Sequence, residues 1–279
     1  MRNFNLRELQ ECELEILKEF VRICKKHNLT YYLAWGTLLG AVRHQGFIPW
    51  DDDIDVCMPY DDYCKFKEVS KTELSQEYYY QDWEKEKEFF LPWAKLRKNE
   101  TTCMTRSESN LKIHWGVGID IFPLIKMDEE KCSISKKMAK YILFFIVQRA
   151  YVSTKSVSLT KKIKNLIYAL IPKNWDAAIV NYCMQIMNKV KKDERYYWDW
   201  DMDMSHDECC FPKEIFGVGK EYLFEDVMLN CPKDSHAYLK RVYGDDYMVV
   251  PEVKDRVDHG DIIVDLEKDY SYYQNMKEL

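Results

Sequence analysis

Four aspartates occupy the segment from Asp51 to Asp55 and precede the apolar run Val56-Cys57-Met58. We expect Asp53 and Asp55 to lie on a buried strand, whose side-chain period of two places both on one face, about 7 Å apart. Asp51 joins that face if the strand begins early, whereas Asp52 points the other way. Carboxylates this close repel one another, and oxygen ligands without a nearby Cys or His pair favour a hard cation. The segment therefore predicts a site for Mg²⁺ or Mn²⁺.

Two simpler interpretations of these aspartates are a solvated turn and a calcium-binding loop. An EF-hand loop places a glycine among its acids and ends on a glutamate. This sequence instead continues directly into residues 54–59, IDVCMP, which contain neither. A metal site built on a strand is therefore the favoured interpretation.

A candidate anion site precedes the aspartates. A β-prone segment leads into the turn Gly36-Thr37, where Thr37 is placed to cap a helix from Leu38 to His44. Free N–H groups at such a helix start bind anions, and Arg43 and His44 lie within reach of a phosphate oxygen. A phosphoryl or nucleotidyl transferase needs this combination, because the helix start holds the phosphate and the metal neutralises the developing charge.

These two features also carry a family resemblance. Residues 36–44, GTLLGAVRH, and residues 46–56, GFIPWDDDIDV, resemble the signature of the LicD family, as does YGDDYM at residues 243–248. The resemblance implies a nucleotidyltransferase fold with a Gly-Thr turn, an Asp-x-Asp pair and a third acid on a later strand. It also implies a CDP-linked donor. Bacterial members resemble enzymes that move phosphocholine from CDP-choline to cell-surface glycans, and their animal relatives, fukutin and fukutin-related protein, use CDP-ribitol.

Asp120 is a lone acid between two isoleucines in the apolar segment 116–123, GVGIDIFP. An unpaired buried carboxylate costs several kcal/mol, and the metal expected at Asp53 and Asp55 is a suitable partner. Backbone N–H groups around the carboxylate are the alternative. The family resemblance implies that Asp120 is the third acid, which holds the metal or takes a proton from the attacking hydroxyl.

Lys95 and Arg97 share one face of a predicted strand in the segment 93–97. A basic pair beside a phosphate site is suited to binding a diphosphate, but surface strands often carry such residues. Both interpretations remain open at the sequence level.

The composition, with 47% hydrophobic and 32% charged residues among 279, is typical of a soluble globular protein. A polar N-terminus and the lack of an apolar run of about 20 residues predict neither a signal peptide nor a membrane span. Scattered cysteines without a C-x-x-C pair favour reduced thiols in the cytoplasm. A weak zinc alternative involves His206, Cys209, Cys210 and Cys231.

Residues 131–173 contain ten Lys and Arg and no acid, although the whole chain carries a net charge of −6. Two apolar runs in this segment, 141–147 and 163–171, are too short to span a bilayer. The segment predicts either a basic helical hairpin on an anionic membrane surface or an insertion that packs against the core. An acidic chain without a nucleic-acid-binding motif argues against nucleic acid as a partner.

The segment 196–201, YYWDWD, mixes aromatic rings with acids. Such a segment is suited to a quaternary ammonium group through cation–π contact and charge. An aromatic segment that wraps the surface is the equally simple alternative.

We therefore expect an α+β fold with a nucleotidyltransferase-like mixed sheet flanked by helices. The predicted parts are a catalytic core at 1–130, a basic helical insertion at 131–195 and a C-terminal part at 196–279 that completes the cleft. The predicted metal ligands are Asp51, Asp53, Asp55 and Asp120, and the predicted donor-binding residues are Gly36, Thr37, Arg43, His44, Lys95 and Arg97.

The expected function is metal-dependent transfer of phosphocholine, or a similar phospho-alcohol, from a CDP-linked donor to a cell-surface glycan or its lipid-linked precursor. Peripheral contact with the cytoplasmic face of the membrane would suit a lipid-linked acceptor. The alternatives are a nucleotidyltransferase that places NMP on a small molecule or protein, and a non-catalytic protein that binds a nucleotide or glycan.

Overall fold

The computed structural model describes residues 4–89, 91–105, 111–128, 137–139, 141–143, 172, 175–190, 194–198, 210–256 and 262–274. The helices whose bounds fall wholly within these ranges are α1 (Leu6–Lys26), α2 (Trp35–His44), α3 (Tyr60–Glu73), α4 (Asp176–Asn188), α5 (Lys213–Phe216), α6 (Ser235–Tyr243) and α7 (Tyr270–Gln274), with a 3₁₀ turn at Val253–Asp255. The strands are β1 (Tyr32–Leu33), β2 (Asp55–Pro59), β3 (Tyr78–Gln81), β4 (Ala94–Lys98), β5 (Thr102–Thr105), β6 (Gly118–Met127), β7 (Tyr196–Trp198), β8 (Cys210–Pro212), β9 (Lys220–Phe224), β10 (Val227–Cys231) and β11 (Ile262–Asp265).

The long strand β6 organises the central sheet. One half of it lies between β2 and β4, which gives the order β1-β2-β6-β4-β3, and its far end pairs with β7, which in turn pairs with β8. The β2–β6 pair is parallel, whereas β1–β2, β4–β6 and β3–β4 are antiparallel. Strand β6 is almost wholly buried from Ile119 to Ile125, as a strand covered on both faces must be.

Helix α1 packs against β4, β6 and α3. Asn5 caps its first turn by accepting a hydrogen bond of 3.0 Å from the Arg7 N–H, which satisfies one of the free donors at a helix start. Its apolar stripe, which includes Leu9, Ile16 and Phe20, is fully buried. Burial of each such side chain stabilises the fold by about 1.5–3 kcal/mol.

The predicted α+β architecture is confirmed, and the nucleotidyltransferase-like character of the sheet stays a prediction. The divisions at residues 130 and 195 also stay predictions. Most of the basic segment 131–173 lies outside the described residues. In the described part of the chain, no helix combines the length and apolar character that crossing a membrane requires.

Candidate active site

A row of three charged side chains crosses the middle of the central sheet. Asp55 on β2 is paired in register with Asp120 on β6, and Asp120 is paired in register with Lys95 on β4. Residues directly opposite on neighbouring strands direct their side chains to the same face of a sheet. The structure thus brings together three residues that the sequence analysis selected from separate segments, although their chemical roles stay predictions.

Asp120 is bonded through both carboxylate oxygens. Oδ1 accepts a hydrogen bond of 2.7 Å from the Trp93 indole N–H, and Oδ2 lies 2.7 Å from Lys95 Nζ. The side chains of Asp120 and Lys95 are only 13% and 18% exposed, so water screens this ion pair weakly. The buried Asp120 is therefore held by protein donors, one of which carries a charge.

Asp55 sits in an unfavourable electrostatic environment. Its pKa is raised well above the usual value, first by burial and then by the negative charges of Asp53, Asp120 and Asp51, with only partial relief from Lys95. Among the residues around it, a neutral side chain would suit this position better. The position of Asp55 therefore favours the approach of a positive charge.

The segment that precedes β2 divides its aspartates between two cavities. The ladder starts at Asp55, two residues later than predicted. Its first hydrogen bond runs from the Asp120 N–H to the Ile54 carbonyl at 2.9 Å, so Asp53 lies before the strand. Asp51 lines one cavity, Asp52 the other, and Asp53 lines both.

Helix α1 and Gly36 support this segment from two sides. The Gln10 side chain on α1 donates a hydrogen bond of 2.9 Å to the Asp51 carbonyl. A Cβ atom at Gly36 would lie 2.7 Å from Asp51 Oδ2, so a residue without a side chain is required for this close approach.

Thr37 does not cap a helix at Leu38, and that prediction is wrong. Helix α2 begins at Trp35 with Ala34 as its N-cap, so Thr37 lies inside the first turn. Its Oγ1 instead accepts the backbone N–H of Asp55 at 2.8 Å. Thr37 therefore fixes the start of β2 and, with it, the position of the Asp55 carboxylate.

Arg43 and His44 occupy different surroundings. The Arg43 side chain lines a cavity, and its Nη1 donates hydrogen bonds to the carbonyls of Tyr247 and Val249 at 2.8 and 3.3 Å. Arg43 thus ties α2 to the C-terminal loop. His44 accepts a hydrogen bond of 3.0 Å from Arg43 Nε, and its ring packs edge-on against Trp50. His44 is not among the residues that line the described cavities near the aspartates.

Arg97 is buried, with 5% exposure, and is not the surface residue that one interpretation allowed. Its Nε donates to Gln81 Oε1 and its Nη1 to the Gly116 carbonyl, both at 2.7 Å. Its guanidinium also lies 5.7 Å from the centre of the Trp115 ring. Arg97 therefore links β4 to β3 and to the loop that precedes β6.

One cavity, the Trp50 cavity, has a volume of about 490 Å³ and lies beside the start of α2. Its walls combine acids, arginines and aromatic rings, among them Trp35, Gly36, Arg43, Trp50, Asp51, Asp53, Asp55, Tyr243, Asp246, Tyr247 and Arg256. Concave sites of this size and mixed lining are typical of small-molecule binding.

Sequence reasoning assigned residues 196–279 to the cleft but named none of the residues that form the C-terminal wall of the Trp50 cavity. Tyr243 ends α6 and lines the cavity together with Asp51, Asp53 and Asp55; burial and the charges of these acids raise the pKa of its hydroxyl. The Arg256 guanidinium lies 4.0 Å from the centre of the Trp50 ring. The family resemblance included the YGDDYM stretch at residues 243–248, but no role was assigned to its individual residues.

The other cavity, the Glu13 cavity, has a volume of about 320 Å³. It is lined by Glu13, Asp52, Asp53, Phe89, Trp93, Lys95, Arg97, Trp115 and Asp120, among others. Glu13 lies on α1 with 2% exposure, and burial together with Asp53, Asp52 and Asp51 raises its pKa well above the usual value. The sequence did carry a signal for Glu13, because it lies four residues from both Leu9 and Leu17 in the apolar stripe of α1.

The aspartates of the site suit a divalent cation that is bound by two carboxylates. No three His, Cys, Asp or Glu side chains of the described residues form a ready-made metal cage. Mg²⁺, however, is usually bound by one or two carboxylates, waters and substrate phosphates. Asp53 and Asp55, which line the same cavity, suit such a two-carboxylate site.

The described residues include only part of the predicted quaternary-ammonium segment at 196–201 and only part of the zinc alternative. Tyr196, Tyr197 and Trp198 form β7, and the ring of Tyr197 is buried against Phe216, so Tyr197 belongs to the core. Residues 199–201 lie outside the described residues, as do His206 and Cys209 of the zinc alternative. Cys210 and Cys231 are buried free thiols.

Comparison with known proteins agrees with these observations. Residues 28–142 match the nucleotidyltransferase domain of the LicD, fukutin and fukutin-related protein family. The chain is 29% identical to the lipopolysaccharide cholinephosphotransferase LicD of Haemophilus influenzae, over 93% of this chain and 97% of that protein. Over 55 residues, 20% of this chain, it is 42% identical to an uncharacterised protein of Rickettsia typhi, of which those residues are 18%. The matched domain contains the aspartate segment, Lys95 and Asp120, and in this part the chain is similar to the LicD family.

Proposed function

We propose that this protein transfers phosphocholine from a CDP-linked donor to a hydroxyl group of a cell-surface glycan or of its lipid-linked precursor. The observation that carries the proposal is the Asp55–Asp120–Lys95 row beside Asp53, at the junction of two cavities. The similarity to a cholinephosphotransferase over 93% of the chain supports the choice of group transferred. A nucleotidyltransferase-like core is part of the same proposal.

The Trp50 cavity suits the nucleotide half of the donor. Trp35, Trp50 and Tyr247 offer aromatic faces, and bases stack on such faces. The start of α2 and the Arg256 guanidinium supply positive electrostatic potential for the diphosphate. Asp53 and Asp55 would hold Mg²⁺, which supplies charge neutralisation at the phosphates when bound.

Asp120 suits the role of general base for the acceptor. An acceptor oxygen attacks the distal phosphorus, the bond from that phosphorus to the bridging oxygen breaks, and CMP leaves with the bond electrons. The proton of the attacking hydroxyl passes to the Asp120 carboxylate. Lys95 and Trp93 orient that carboxylate through their bonds of 2.7 Å.

The test uses CDP-choline labelled separately on each phosphorus, together with Mg²⁺ and a lipopolysaccharide or teichoic acid acceptor. We expect the distal label on the acceptor and the proximal label in released CMP. Label from the nucleoside phosphorus on the acceptor would instead establish nucleotidyl transfer.

Active-site variants complete the test. Asp53→Ala and Asp120→Asn are each expected to lower turnover by at least about 100-fold, which is the usual contribution of a general base or a comparable group. Asp61→Asn, on the exposed face of α3 where Asp61 pairs with Lys126, is the control and should retain activity. Unchanged turnover in Asp53→Ala would refute the catalytic role of the aspartates.

A further inference from the structure

We propose that the Glu13 cavity holds the quaternary ammonium group of the donor and that Glu13 is the residue that selects this group. The inference rests on the proposed function and deepens it by assigning the choline end of the donor to a specific part of the fold.

The first observation is the state of the Glu13 carboxylate. Glu13 has 2% exposure, lines the cavity, and its Oε2 atom has no hydrogen-bond partner among the described residues. A polar group buried in this way is costly unless a ligand compensates it. The nearby cation Lys95 is already paired with Asp120, so a cationic ligand would supply the compensation that Glu13 lacks among the described residues.

The second observation is the balance of charge in the cavity. Four carboxylates line it, those of Glu13, Asp52, Asp53 and Asp120, against the two cationic side chains Lys95 and Arg97. Both cations are engaged, Lys95 with Asp120 and Arg97 with Gln81 and Gly116. The lining therefore favours a cationic ligand over a neutral one.

The third observation is the aromatic wall. Phe89, Trp93 and Trp115 line the cavity, and each is nearly buried. Aromatic rings combined with carboxylates recognise quaternary ammonium groups, which cannot donate N–H hydrogen bonds and so bind through ring faces and charge. The Arg97 guanidinium, 5.7 Å from the Trp115 ring centre, already uses one ring in this way.

The fourth observation is the connection between the cavities. Asp53 lines both of them. A donor with its nucleotide in the Trp50 cavity and its distal phosphate beside Asp53 therefore directs its alcohol group into the Glu13 cavity. The distal phosphorus then lies next to Asp120, where the proposed reaction requires it.

A sugar of the acceptor is the competing occupant, since sugars also pack on aromatic rings and bond to carboxylates. The two occupants differ in charge. A donor in which carbon replaces the choline nitrogen, CDP-3,3-dimethylbutanol, keeps the shape and removes the charge, so it separates the two cases.

The experiment measures binding and kcat/KM for CDP-choline and for CDP-3,3-dimethylbutanol with the full-length protein and Mg²⁺. We expect the unmodified protein to prefer CDP-choline by about 10-fold or more, a difference that a desolvated cation–π contact and a carboxylate supply together. Glu13→Gln should reduce this preference to about threefold or less, because it should weaken the binding of CDP-choline and leave that of CDP-3,3-dimethylbutanol unchanged. Glu15→Gln is the matched control, because Glu15 lies on the same helix but is 59% exposed and pairs with Lys98.

Several results would overturn the inference. One is that the unmodified protein does not prefer CDP-choline, and another is that Glu13→Gln leaves the preference unchanged. The others are that Glu13→Gln lowers the affinity for both donors equally, or that it changes only the KM of the acceptor. The first comparison needs no variant, so it decides the matter even if Glu13→Gln folds poorly. Continued turnover of CDP-choline in any of these cases would leave the proposed function intact, whereas failure to turn over any CDP-linked donor would refute the proposed function itself.

Discussion

Replacing Asp55 with asparagine should stabilise the fold while abolishing turnover. The Asp55 carboxylate is buried next to Asp53, Asp120 and Asp51, and its pKa is raised accordingly. Asparagine has nearly the same shape and carries no charge. The variant therefore removes the repulsion and leaves the hydrogen bond from the backbone N–H of residue 55 to Thr37 in place.

The magnitude follows from the pairing of the strands. Asp55 and Asp120 lie opposite each other on neighbouring strands, and two carboxylates about 5 Å apart repel by roughly 3 kcal/mol at an effective dielectric constant of about 20. Lys95, at 2.7 Å from Asp120, cancels part of this repulsion. We therefore expect Asp55→Asn to raise the free energy of unfolding by about 1–3 kcal/mol at pH 8.

The assay is urea denaturation in EDTA at several pH values. Because the folded pKa of Asp55 is raised above its unfolded value, the penalty in the unmodified protein is absent at low pH and grows as pH rises toward the folded pKa. The gain from Asp55→Asn should thus shrink toward pH 4. The control Asp61→Asn removes an exposed ion pair and should change stability by less than about 1 kcal/mol. A loss of stability in Asp55→Asn at pH 8 would refute the repulsion argument.

Three further substitutions test the supports of the site. Thr37→Val leaves the buried Asp55 N–H without its acceptor, so the free energy of unfolding should fall by about 1–3 kcal/mol in urea denaturation, while Thr37→Ser should match the unmodified protein. Lys95→Met leaves the Asp120 carboxylate without its ion-pair partner and should lower the free energy of unfolding by about 2–4 kcal/mol. If the addition of Asp120→Asn to this variant recovers none of that stability, the side chains of residues 95 and 120 do not interact. Gly36→Ala places a methyl carbon 2.7 Å from a carboxylate oxygen in the Trp50 cavity and should raise the KM for the donor several-fold in initial-rate assays, so an unchanged KM would contradict the tight packing.

The acids of the site were predictable because each breaks a local pattern. Asp53 and Asp55 interrupt an otherwise apolar segment with a period of two, and Asp120 is an isolated charge among buried isoleucines. A carboxylate in such a position has few explanations apart from function or a paired charge. The expected α+β class followed from the predicted strands and helices together with the fold that the family resemblance implies.

The partners of these acids depend on strand pairing, which no local pattern specifies. Sequence analysis assigned Lys95 and Arg97 equivalent roles, yet Lys95 faces Asp120 and Arg97 bonds to Gln81 and Gly116. The helix start at Trp35, where φ is +45°, was missed because a bulky residue rarely adopts a positive φ. The cavity wall formed by residues 243–256 comes from irregular backbone, for which periodicity offers no guide.

The parallel pairing of β2 with β6 sets an order of events during folding. All of β3, β4 and β5 lies between these two strands in the chain, so they cannot meet until a long loop has closed, which is the slow step in topologies with distant contacts. A nascent chain therefore emerges with Asp55 and Asp120 still far apart. The repulsion between these two carboxylates, unlike that among Asp51, Asp53 and Asp55, arises only when β2 and β6 pair.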